Sequence, residues 1–63
     1  MRFEIYRARM GLLTRTQWRW RLRAGNGRIV ATSGESYNNR ADMLRAIALI
    51  QAEAPQAPVV EAV

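Results

Sequence analysis

A chain of 63 residues, 49% of them apolar, holds one small domain at most. It has no cysteine and no histidine, which excludes disulfides, thiolate chemistry and the commonest metal ligand and general base. All 10 cations are arginines against five carboxylates, and the formal charge of +5 adds weight to an anionic partner such as nucleic acid or a lipid surface.

Phe3-Glu4-Ile5-Tyr6-Arg7 alternates apolar and polar side chains, which predicts a strand over residues 2–8 with Phe3 and Ile5 on one face and Glu4 and Tyr6 on the other. Residues 9–16 contain Gly11 and lose the alternation, so they read as a connection. Leu12 and Leu13 within it are expected to fold back on the sheet edge or to meet a partner chain. Gln17-Trp18-Arg19-Trp20-Arg21-Leu22-Arg23 restores a strict period of two, predicting a second strand from Thr16 to Ala24. Trp18, Trp20 and Leu22 point to its core face; Arg19, Arg21 and Arg23 point away.

Gly25-Asn26-Gly27 supplies the residues that tolerate positive φ, as hairpin turns and glycine bulges require. The third strand is expected over Arg28–Thr32, with Ile29 and Ala31 inward, although Val30 is equally apolar. Ser33-Gly34-Glu35-Ser36-Tyr37-Asn38 reads as a loop that braces the next helix, with Glu35 as a partner for a sheet arginine. Asn39 followed by Asp42 is an N-cap with a carboxylate in the first turn. Met43, Leu44, Ile47 and Ile50 then recur at helical spacing from Arg40 to about Gln51, while Leu49 falls off that stripe.

Pro55 and Pro58 stop the helix, so residues 1–52 form the domain and 53–63 a Pro/Ala-rich tail expected to be disordered or to add a strand to a neighbour's edge. The fold class is α+β: a three-stranded antiparallel meander followed by one helix across one face.

The quoted segments, together with Asn26-Gly27-Arg28-Ile29-Val30-Ala31 and Ser33-Gly34-Glu35-Ser36-Tyr37, resemble the YegP-like family over about residues 3–50. Its repeat reads roughly F-E-I-Y, R-W-R-L, N-G-x-I-I-A, S-x-E-x-Y and then a helix. The resemblance implies a unit of three strands and a helix, commonly present twice in one chain. A single-repeat chain would then take its second unit from another molecule. It implies no activity and no catalytic residues. The sequence departs from the pattern in its longer Met10–Thr16 connection and in Ser36, where glycine is usual.

Two function classes follow. One is a structural or interaction module without enzymatic activity, homodimeric through sheet edges or strand exchange. Its motive is core size: one helix over three strands leaves sheet edges unpaired and much of the two tryptophans under-covered. The other is nucleic-acid binding through an anion-binding face of Arg19, Arg21, Arg23 and Arg28, whose alternative is a solvated face on which Glu4 pairs with an arginine and Tyr6 stacks on another. Trp18 and Trp20 read as core rather than as base-stacking platforms. No catalytic, cofactor or metal site is expected, and no small-molecule substrate. No signal peptide or membrane span is visible, so a cytoplasmic location is expected.

Overall fold

The computed structural model describes residues 1–9 and 16–62. The expected placement of Leu12 and Leu13 lies outside the described residues. Three strands, β1 (Arg2–Arg9), β2 (Thr16–Arg23) and β3 (Ile29–Thr32), precede one helix, α1 (Arg40–Glu53). The sheet order is β1-β2-β3, both pairings antiparallel, so β2 is central. This is the meander-plus-helix expected from the alternation.

The β1–β2 register runs without interruption from Arg2 opposite Arg23 to Arg9 opposite Thr16. Opposed residues share a face, so Phe3, Ile5 and Arg7 join Leu22, Trp20 and Trp18 on one side. Glu4 and Tyr6 join Arg21 and Arg19 on the other. The β2–β3 turn has the bonding of a three-residue loop with a glycine bulge. Gly27 N–H donates to the Ala24 carbonyl (2.9 Å), and Ala24 N–H to the Arg28 carbonyl (2.7 Å). Gly27 has φ +87°, a conformation that a side chain would strain. The Asn26 side chain accepts from Arg28 N–H at 3.0 Å. Arg28 therefore serves the turn, and the strand begins at Ile29 rather than Arg28.

Ile29 corrects a second expectation. Leu22 opposes Ala31 but Arg23 opposes Ile29, an irregularity that leaves Val30 as an extra residue in β3. Ala31 keeps its inward position against the core, whereas Ile29 follows Arg23 and is about half exposed, as is Val30. After β3 the chain returns to β2. Ser33 N–H donates to the Trp20 carbonyl (2.9 Å), and Tyr37 exchanges two backbone bonds with Trp18 (2.7 and 2.9 Å).

Helix α1 starts where the sequence places its cap: Asn39 Oδ1 accepts from Ala41 N–H at 2.8 Å. Arg45 donates to Asp42 one turn on (2.7 Å). Ala54 N–H still bonds the Ile50 carbonyl, so the helix extends two residues past the expected Gln51. It then tightens into a 3-10 turn over Ala54–Gln56, where Pro55 is tolerated because early positions need no N–H donor. Residues 57–62 have no regular structure and are exposed.

Met43 and Ile47 reach Trp20, and these three are the buried residues among those described. Phe3 meets the Trp20 ring edge-on at 5.3 Å. Phe3, Ile5, Trp18, Leu22, Ala31, Tyr37 and Ile50 surround this centre but remain partly open. Leu44, expected beside Met43, is 38% exposed instead, because the helix contacts the sheet through one narrow stripe. The Trp20 indole N–H is buried without an acceptor among the described residues.

Candidate anion-binding site

Two groups of arginines lie at opposite ends and on opposite faces of the sheet. On the face away from the helix, Glu4 is a hub. It accepts from Arg21 Nε (2.8 Å) and Arg2 Nε (2.9 Å), and from Arg23 Nε (3.1 Å). Strand pairing explains the convergence. Glu4 is directly opposite Arg21, and Arg2 is directly opposite Arg23, one pleat away on the same face. The hydrogen bonds from Arg21, Arg2 and Arg23, in that order, hold the Glu4 carboxyl down from 4.5 to about 2. Arg21 also lies over the Tyr6 ring, 5.1 Å from its centroid. Arg23 donates additionally to the Gly27 carbonyl at 2.5 Å, tying the hub to the hairpin.

The four sequence candidates are thus placed unequally. Arg21 and Arg23 join at Glu4. Arg19 donates to Ser36 Oγ at 2.8 Å, farther along the strand. Arg28 is exposed at the turn. Glu35, expected to take a sheet arginine, makes no ion pair among the described residues; its backbone carbonyl accepts from Ser33 Oγ at 2.8 Å instead.

The second group was not singled out from the sequence. Trp18 has two guanidinium groups over its ring: Arg7 at 5.3 Å and Arg40 at 5.7 Å from the centroid. Arg7 is directly opposite Trp18 on β1, and Arg40 is the first residue of α1. Arg9 follows Arg7 by two residues and so shares its face. None of the three makes an ion pair among the described residues. The signal for Arg7 was present in the alternation, since Phe3, Ile5 and Arg7 have one parity. Arg40 could be found only from the helix placement.

Among the described residues no three Asp or Glu side chains converge as metal ligands, and no helix is long and apolar enough to cross a membrane.

Comparison with known proteins gives a family and no activity. The chain is 40% identical over 60 residues to a UPF0339 protein of Treponema denticola, an alignment covering 95% of this chain and 93% of that protein. No solved structure matches. Residues 14–61 match the family described as Domain of unknown function (DUF1508), and with that relative they show that the chain belongs to this YegP-like family.

Proposed function

We propose that the chain is an interaction module without enzymatic activity that folds as a homodimer, its protomers meeting through sheet edges or exchanged strands. The observation that carries this reading is the incomplete core. Trp20, Met43 and Ile47 are buried, yet the partly open Phe3, Leu22 and Ile50 line an apolar groove with Met1, Ala54 and Pro55. Ile29 and Val30 are also exposed on β3, whose outer edge is unpaired among the described residues. Chains of this size rarely gain more than about 3–5 kcal/mol from a single core, so a second copy covering these surfaces adds stability. Light scattering on the full chain at micromolar concentration tests the reading. Twice the 7.2 kDa chain mass is expected; a well-folded monomer overturns it.

A second reading is favoured by the charge of the sheet's outer face. Arg2, Arg19, Arg21 and Arg23 share it with a single carboxylate, Glu4. Such a surface attracts phosphate backbones. A dimer offering three arginines per protomer to duplex DNA has an expected log-log salt slope of about −5. Changing Arg19, Arg21 and Arg23 together to glutamine removes that binding with the fold retained, if this reading holds. Absence of nucleic-acid retention at low salt ends it.

A further inference from the structure

We propose that Arg7, Trp18 and Arg40 form a contact site for single-stranded nucleic acid, separate from the arginines gathered around Glu4. The site is complete within one protomer and does not depend on dimerisation.

Charge distinguishes the two arginine groups. On the outer face Glu4 already engages Arg2, Arg21 and Arg23. At Trp18 two guanidiniums, 5.3 and 5.7 Å from one ring centroid, have no ion pair among the described residues. Like charges brought to one ring repel, and an exposed cation–π contact offsets this only weakly. Asp42, in the same first helical turn as Arg40, is engaged by Arg45 at 2.7 Å. An arriving phosphate therefore displaces no carboxylate at Arg7 or Arg40. At the outer face it must compete with Glu4.

Aromatic chemistry selects the ligand class. Trp18 is partly exposed, unlike the buried Trp20. A nucleobase stacks on an aromatic side chain roughly twice as strongly as an exposed guanidinium does. A base therefore replaces a guanidinium on the ring, and the released guanidinium turns to the adjoining phosphate with its planar fork of donors. Duplex DNA keeps its base faces stacked internally and cannot make this exchange. A single strand can. Tyr37 fixes the platform by exchanging backbone bonds with Trp18 at 2.7 and 2.9 Å.

The test uses the full chain and a fluorescent oligothymidylate of about 12 nucleotides, within the usual site size for such proteins. Anisotropy is read from low to physiological salt, together with intrinsic tryptophan emission. Wild type is expected to bind at low salt with quenching of Trp18. Arg7→Gln/Arg40→Gln should weaken binding by about tenfold or more and reduce the log-log salt slope by about 1.4, the loss of two single-strand phosphate contacts. Trp18→Leu should abolish the quenching and weaken binding by at least about fivefold. Arg21→Gln/Arg23→Gln discriminates this site from the outer-face reading: affinity for the single strand should change by less than about threefold, whereas the outer-face reading ties retention of duplex DNA to those two arginines. Circular dichroism confirms the fold of each variant. The proposal is overturned if wild type does not bind at low salt, or if the outer-face pair costs as much as the Trp18 pair. Equal loss with preserved Trp18 quenching would favour the outer face instead. A binding-competent monomer, or a dimer that fails to bind, separates this result from the self-association reading.

Discussion

Trp18 and Trp20 stand two residues apart on the same face of β2 and border one core, yet they are covered to different degrees. Trp20 is 7% exposed, packed by Met43, Ile47 and the edge-on ring of Phe3. Trp18 is partly open, with Arg7 and Arg40 over its ring. Strand parity decides which face a residue takes; the placement of the helix decides whether that face is covered. The helix reaches Trp20 through Met43 and Ile47, whereas its first residue, Arg40, lies over Trp18. One strand face is therefore core at its middle and a cation-flanked aromatic surface at its end.

This contrast is most easily broken by truncation. Trp20→Ala is expected to cost about 3–5 kcal/mol, comparable with the whole stability of a chain this size, so thermal melts should show no cooperative transition. Trp18→Ala is expected to cost about 1 kcal/mol and leave a measurable transition. Equal losses would show that the two rings are not energetically distinct. Trp20→Phe sharpens the point, because it also removes a buried N–H that has no acceptor among the described residues. Its cost should fall well below that of Trp20→Ala, since an unpaired buried polar group is itself destabilising.

Next in size is the helix start that carries Arg40. Asn39→Ala removes the acceptor for Ala41 N–H and should lower stability by about 1 kcal/mol in chemical denaturation. It should also loosen Arg40 from Trp18, visible as a change in Trp18 emission. No change in that emission would separate the cap from the aromatic site.

Acid titration compares the two arginine groups directly. Folding lowers the Glu4 pKa from 4.5 to about 2, so its stabilisation is complete above about 4.5. As pH falls the unfolded chain takes up the proton first, and the contribution is lost progressively as pH falls through about 2. Glu4→Gln should remove this acid dependence from the melts. The smallest expected effect belongs to Arg7→Gln/Arg40→Gln, exposed positions without an ion pair among the described residues. Melting should shift within about 0.5 kcal/mol of wild type. A larger destabilisation would mean that these arginines are structural.

Much of this architecture is legible in the sequence for local reasons. The period of two in Phe3–Arg7 and Gln17–Arg23 places the strands and assigns their faces. Asn39 with Asp42 places the helix start to the residue. What escapes is the outcome of non-local geometry. The apolar run Ile29-Val30-Ala31 carries no signal for an irregular pairing, so Ile29 is misassigned when the register shifts at Arg23. Leu44 lies on the helical stripe by spacing but beyond the reach of a three-stranded sheet. The arginine row of β2 is visible in the sequence, and so is the pairing of Glu4 with an arginine across the strand. The convergence of three arginines on that one carboxylate is not, because Arg2 and Arg23 meet only through the strand register.

Self-association that covers the partly open Phe3, Leu22 and Ile50 has a direct thermodynamic consequence. Thermal unfolding of the full chain should be followed by circular dichroism from about 5 to about 500 μM, where association linked to folding makes the melting temperature rise with concentration. A homodimer gives a melting temperature that climbs steadily across that range. A sharp, cooperative transition at one temperature throughout would contradict it, because the single chain would then be complete by itself.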